Sequence, residues 1–339
     1  MKKICLASML TVCMLLSACG TIVTGNSPAT TVSSAEPTET ESDIPLEEYR
    51  TIEDLVGYAD VVSVSRATYD FSELEASSID EETDAAIKGI TNDTVIYEIV
   101  YTVDGFTVTG YLSAPSDYLT NNYPILIYNR GGNGNYGANT AVGVGKYAYF
   151  FQYIVVATQY RETGIGTGRD RFGGEDVNDV MFLVNMTQSM AFGNRDKVYM
   201  LGESRGGMET CLAICQDTNS VIKAAVSVSG VYDLENLYSF RTDMQDVLEN
   251  RIGGSPEDVP DEYEKRSAVT FADQINIPIL IIHSTRDQRT PYSDAKKFAE
   301  LLDQYDKSYE FITRRDNVHG IETPDEVNTI AAWFESLDI

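Results

Sequence analysis

Hydrophobic and polar positions alternate with a period of two from Thr94 to Val103, break at Asp104-Gly105, and alternate again from Phe106 to Ser113. Two such runs joined by Asp-Gly predict a β-hairpin, because the I′ turn that joins paired strands needs φ > 0 at both centres, which Asp and Gly tolerate. After Pro124 the pattern changes to short, mostly apolar runs: Ile125–Tyr128, Tyr153–Thr158, Val198–Leu201, Ala224–Val228, Ile279–His283 and Tyr309–Thr313. Helix-period segments fall between them near 140–150, 176–190, 205–215 and 292–304. A last helix opens at Thr323-Pro-Asp-Glu326, a capping box with proline in the first turn. It carries Val327, Ile330, Trp333, Phe334 and Leu337 on one side. Apolar strands alternating with helices predict a mostly parallel sheet covered on both faces, with the antiparallel hairpin at its N-terminal edge. Residues 233–272 interrupt the rhythm as a short helical cover over the top of the sheet.

Upstream the pattern supports less. Residues 47–93 read as an N-terminal extension of helices and polar turns, including Ile52 to Tyr58 and Glu82 to Ile90. Residues 19–46 are Ser, Thr, Glu and Pro with almost no large apolar side chains, which predicts a disordered acidic tether. Residues 1–18 read as an export signal: Lys2 and Lys3, an apolar run from Ile4 to Leu16, then small residues. That run is too short to span a bilayer as a helix. Leu16-Ser17-Ala18-Cys19 resembles the lipobox of bacterial lipoprotein precursors. The resemblance implies cleavage before Cys19, lipidation of its sulfur, and a lipid anchor on the outer or periplasmic side of the cell membrane. Ordinary cleavage after Ala18, leaving a free thiol, is the alternative.

Composition narrows the partners. The 339 residues are 43% hydrophobic, enough for one large core, and carry a formal charge of −27. Such an acidic chain argues against nucleic acid and anionic membrane surfaces as binding partners. Cys211 and Cys215 stand four apart on one helix, where a disulfide is awkward, and read as small buried hydrophobes. No metal is expected, since neither histidine lies near the cysteines. Gly164-Ile-Gly-Thr-Gly168 and Gly145-Lys146 lack the spacings of a dinucleotide fingerprint or a P-loop, so no nucleotide is expected either.

The chemistry concentrates at Val198-Tyr-Met-Leu-Gly-Glu-Ser-Arg-Gly-Gly207, where an apolar strand turns through Gly-x-Ser-x-Gly into a helix. That context makes Ser204 the candidate nucleophile of an elbow. A serine hydroxyl needs a base, usually histidine, and the base needs an orienting carboxylate. Only His283 and His319 are available. His319 follows the last strand and completes the order serine, acid, histidine, whereas His283 ends a buried strand and reads as structural. Asp287, in the loop after Ile279–His283, is favoured as the acid over Asp233 and Asp316. For an oxyanion, two backbone N–H donors must converge. Arg205 supplies one, and Gly132, in Asn129-Arg-Gly-Gly-Asn133 after the strand Ile125–Tyr128, is assigned the other.

With these residues the chain from about Thr94 onward resembles the catalytic domain of the prolyl oligopeptidase family of serine peptidases, of the α/β-hydrolase fold. The carriers are Tyr128-Asn-Arg-Gly-Gly132, Gly202-Glu-Ser-Arg-Gly-Gly207, Tyr263-Glu-Lys-Arg-Ser267, the Asp287 loop and Val318-His-Gly320. Arg169 to Val180 is similar to a family stretch before the elbow. The resemblance implies that 94–339 is an α/β-hydrolase catalytic domain working through an acyl-enzyme without cofactor. Two departures stand out. Arg130 takes the place where many relatives have histidine, and the residues ahead of the hairpin are too few for a β-propeller. The expected activity is hydrolysis of short peptides. A carboxylesterase or deacetylase with the same triad, and a non-catalytic surface binding lipoprotein, are the alternatives.

Overall fold

The computed structural model describes residues 56–67, 89–90, 92–337 and 339. The signal, Cys19, the tether and most of the expected helices at Ile52–Tyr58 and Glu82–Ile90 lie outside them. The described residues form a nine-stranded sheet of order β1-β2-β3-β5-β4-β6-β7-β8-β9. Its strands are β1 (Val61–Arg66), β2 (Thr94–Val103), β3 (Phe106–Pro115), β4 (Pro124–Asn129), β5 (Ile154–Thr158), β6 (Asn194–Glu203), β7 (Ile222–Val228), β8 (Ile279–Ser284) and β9 (Tyr309–Arg314). The expected hairpin is β2–β3, with Val103 opposite Phe106 and both Asp104 and Gly105 at positive φ. Antiparallel pairing runs from β1 through β5; from β5 to β9 every pairing is parallel. This is the α/β-hydrolase architecture with an antiparallel N-terminal portion.

One element departs from the sequence reading. Val61-Val-Ser-Val-Ser-Arg66, expected as part of a helical extension, is a strand paired antiparallel with β2 through Val64–Ile99 and Arg66–Tyr97. It covers an edge that β2 would otherwise leave unpaired.

Alternate strand residues enter opposite cores, as the two-residue period requires. On β4, Ile125 and Ile127 face one core while Leu126 and Tyr128 face the other; β6 divides Val198 and Met200 from Tyr199 and Leu201 in the same way. One face is covered by α2 (Val177–Ser189), α3 (Arg205–Gln216) and α7 (Tyr292–Gln304) through Leu183, Met208, Cys211 and Phe298. The other is covered by α1 (Ala141–Phe151) and α8 (Pro324–Ser336) through Tyr147, Phe151, Ile330 and Phe334. Each such side chain buried on both sides contributes roughly 1.5–3 kcal/mol. The Thr323–Glu326 capping box fixes the start of α8. The cover holds α4 (Leu234–Phe240), α5 (Gln245–Ile252), α6 (Pro260–Glu264) and short 3-10 turns.

From β4 the chain continues to β5 on one side, while β6 lies on the other. Strand order therefore reverses beside β4, opening a crevice at the carboxyl ends of β4 and β6. There Asn129 lies opposite Gly202.

Candidate active site

Ser204 sits between β6 and α3 with φ 57° and ψ −121°, a conformation a side-chain-bearing residue keeps only when its surroundings enforce it. The enforcement is close packing. A Cβ on Gly206 would lie 1.9 Å from the Asn129 carbonyl oxygen, and one on Gly202 would lie 2.1 Å from that of Gly206. The end of β4 and the start of α3 thus touch backbone to backbone, which glycine alone allows. Ser204 N–H donates to Val228 O at 3.0 Å, tying the turn to the end of β7.

His319 lies between β9 and α8 and donates from Nδ1 to Asp287 Oδ2 at 2.8 Å. The carboxylate can only accept, so Nδ1 carries the proton and Nε2 of the neutral ring keeps its lone pair. Asp287 Oδ1 accepts from the N–H groups of Arg289 (2.8 Å) and Thr290 (3.1 Å), and Oδ2 also from the Thr290 hydroxyl (3.1 Å). Burial alone would raise the Asp287 pKa; His319 and these backbone donors outweigh it and hold the carboxyl at about 2. Asp233 instead caps α4 and pairs with Lys297, and Asp316 accepts from Val318 N–H. The pairing therefore falls on Asp287, as the order of residues suggested. His283 is fully buried, with Nδ1 3.2 Å from Ser284 O and Nε2 3.2 Å from the Thr290 hydroxyl, and burial lowers its pKa. It supports the Asp287 loop from beneath.

Ser204 and His319 line one cavity of about 490 Å³. Among the described residues Ser204 Oγ makes no hydrogen bond, so the nucleophile–base contact is open here; such contacts commonly tighten only with substrate. Gly131 is the glycine that lies against Ser204, since a Cβ there would be 3.1 Å from Ser204 Cβ and 3.7 Å from Oγ. Gly132, at φ 73°, packs on Tyr136 and accepts from Arg205 through its carbonyl. Arg205 opens α3, so its N–H has no helical acceptor. The cavity wall comes from the Gly131–Gly132 loop, α1, the elbow, Arg289 and the His319 loop. No described residue of the 233–272 cover or of 56–67 lines it.

Three side chains at this site have roles that were not read from the sequence. The Arg205 side chain, 1% exposed, points away from the cavity into a cluster of acids. It pairs with Asp170 (2.8 Å), Asp176 and Glu209 (3.0 Å) and stacks over Tyr160 and Phe172. Burial works against ionisation of Asp170, yet Arg205 and the N–H groups of Gly134 and Phe172 hold its pKa below the ordinary value. Glu209 goes the other way: burial first, then neighbouring Asp176, push it well up, and its Oε2 has no partner among the described residues. The family-like stretch Arg169–Val180 thus supplies the anchors of the residue after the nucleophile. Arg130 is also buried, its guanidinium spent on carbonyls of Gln159, Gly131, Tyr136 and Gly134 and on the Thr163 hydroxyl. Burial lowers its pKa to about 10.

The third group is Glu203. Its Oε1 accepts from the hydroxyls of Tyr128 (2.9 Å) and Tyr147, and its Oε2 from Ile321 N–H at 2.9 Å. The residue before the nucleophile therefore holds the loop that carries His319. From the other side Arg314 binds the carbonyls of Gly320 and Val318, and Ser229 Oγ accepts from Gly320 N–H.

This geometry coincides with a match of residues 151–337 to the family model described as prolyl oligopeptidase family. The chain belongs to the prolyl oligopeptidase family. It is 30% identical over 217 residues to the uncharacterized peptidase YtmA of Bacillus subtilis, covering 63% of this chain and 82% of that protein. Dipeptidyl aminopeptidase BIII of Pseudoxanthomonas mexicana is 24% identical over 255 residues, 69% of this chain but only 36% of its own length. Among solved structures, Pyrococcus horikoshii acylaminoacyl peptidase superposes with a TM-score of 0.60 at 18% identity, over 80% of this chain and 44% of its own. The prolyl oligopeptidase family places the chain among the serine peptidases, as an enzyme, and its α/β-hydrolase fold is that of the neighbours. This member spans most of its small relative and less than half of the large ones.

Proposed function

We propose that the protein hydrolyses short peptides through an acyl-enzyme on Ser204, with His319 as base and Asp287 as the acid that orients it. The observation that carries the reading is the His319 Nδ1–Asp287 Oδ2 bond of 2.8 Å on a cavity shared with a strained Ser204. Ser204 Oγ attacks the peptide carbonyl while Nε2 of His319 takes its proton. Asp287, ionised, keeps the ring in the Nδ1–H tautomer and stabilises the imidazolium that forms. The oxyanion is received by the N–H of Arg205 and an N–H of the Gly131–Gly132 pair. His319 then returns its proton to the leaving amine, and water releases the acyl group by the same steps reversed. Substrates are small, because the cavity is of the size that holds a few residues. The Leu16-Ser17-Ala18-Cys19 motif supports attachment of the mature chain to the outer or periplasmic side of the membrane through lipid on Cys19.

Labelling with a fluorophosphonate, followed by a panel of matched peptides and esters, tests the reading. Label on Ser204 and cleavage of peptides are expected. Undiminished label on folded Ser204→Ala would remove the nucleophile, and cleavage of esters alone would move the enzyme to the carboxylesterases. Mass spectrometry of the mature N-terminus tests the anchor; an unmodified Cys19 overturns it.

A further inference from the structure

Lys146, in the middle of α1, lines the same cavity as Ser204, Glu203 and His319. It is only 8% exposed, and among the described residues its ammonium has no hydrogen bond and no carboxylate within 4.0 Å. Its one contact of note is with the Tyr147 ring, whose centroid lies 4.7 Å away. The stem is packed away and the ammonium opens on the cavity, so an acceptor for it is supplied either by the wall or by a ligand. The acids on the cavity do not do so. Glu203 is bound by two tyrosine hydroxyls and a backbone N–H, and Glu322 is not within ion-pair distance. The other cations there are Arg130, whose donors are spent on carbonyls and a hydroxyl, and Arg289, which is exposed. With Lys146 they outnumber the acids on the wall by one, on a chain whose formal charge is −27.

We infer that Lys146 is a specificity residue that receives a carboxylate of the substrate, so that the enzyme prefers acidic peptides over neutral ones of the same shape. The inference rests on the cavity being the substrate site proposed above. The carboxylate is either the free C-terminus of a short peptide or an acidic side chain; both would meet the ammonium by a charge-assisted hydrogen bond.

The test compares kcat/KM for an alanine tetrapeptide as free acid and as C-terminal amide, and for the amide with Glu or Gln at each position in turn. The expected result is an acid-over-neutral ratio of about tenfold in one arm, the factor that about 1.4 kcal/mol gives. The arm that shows it names the source of the carboxylate. In Lys146→Met, which keeps an unbranched stem without charge, the ratio falls to near one, and Lys146→Arg restores part of it. Calorimetry of the unaltered protein with glutarate and with glutaramide needs neither turnover nor a variant; glutarate should bind about tenfold more tightly. Equal treatment of each pair, including binding of neither glutarate nor glutaramide, or a ratio untouched by Lys146→Met, overturns the inference. Failure of every peptide to be cleaved while glutarate is still preferred defeats the hydrolase reading and leaves the carboxylate site standing.

Discussion

Replacing Arg205 by methionine removes one cation from among three carboxylates, each with a fully buried side chain. Breaking a buried ion pair costs about 3–5 kcal/mol, because the abandoned charge stays desolvated. Here three abandoned acids also repel one another, and the expected loss at pH 7.5 is at the upper end of that range, about 5 kcal/mol. That is a large part of a typical stability of roughly 5–15 kcal/mol. With an m-value of about 3 kcal/mol/M, the urea midpoint should fall by more than about 1 M. The pH dependence carries the diagnosis. In the unaltered protein Asp170 has a depressed folded pKa, so its contribution is present above the unfolded value and lost as pH falls. Glu209, raised in the fold, contributes most at low pH and loses that contribution as pH climbs above its unfolded value. Without Arg205 the burial that raises Glu209 goes unopposed, and Asp170 loses the cation that most holds its pKa down. Stability of Arg205→Met should therefore rise on acidification from pH 8 to 5, and Glu209→Gln in the same background should recover part of the loss. Urea titrations of the two variants at both pH values decide it. A loss below about 1 kcal/mol, or no recovery at pH 5, would refute the account of Arg205 as the charge that holds these loops together.

His319→Ala should lower kcat by roughly 10⁴-fold or more while the protein stays folded. His283→Ala should lower the melting temperature with a far smaller effect on kcat; an exchange of these outcomes would exchange the roles. Gly206→Ala should give insoluble or unlabelled protein, because its Cβ would lie 1.9 Å from the Asn129 oxygen; full labelling of a soluble variant would show that the elbow can relax. Along a homologous peptide series kcat/KM should level off beyond about six residues, since chains longer than the cavity gain few contacts that strengthen in the transition state. A continuing rise would point to an extended cleft.

The parallel strands β4, β5, β7 and β8 were legible because each is buried on both faces over most of its length and so reads as a nearly unbroken apolar run, and the hairpin because Asp104-Gly105 has few other uses. β1 was not, because Val64 is its one fully buried side chain and its pairing is supplied by β2, far along the chain. That Asp287 would meet His319 near the Ser204 elbow was legible from their order after β6, β8 and β9. The grip of Asp170 and Asp176 on Arg205 was not, because acids in a glycine-rich stretch look like turn chemistry until the fold brings α3 beside them. Lys146 was weighed only as part of a P-loop and set aside: on a helix-period segment nothing local distinguishes a lysine that opens on a cavity from one at the surface.

Glu203 occupies one of the two positions that the Gly-x-Ser-x-Gly pattern leaves unspecified, yet both its carboxylate oxygens are held. Its carboxylate reaches Ile321, 118 positions away, and sits where a side chain on Gly320 would come within 2.7 Å. A change at Glu203 alone would strand two tyrosine hydroxyls and an N–H; a change at Gly320 alone would collide with it. Across related sequences these positions should therefore drift as a linked set with Tyr128 and Tyr147, or not at all. Transplanting the elbow from one member into another would carry the nucleophile across but leave the histidine loop without its tether.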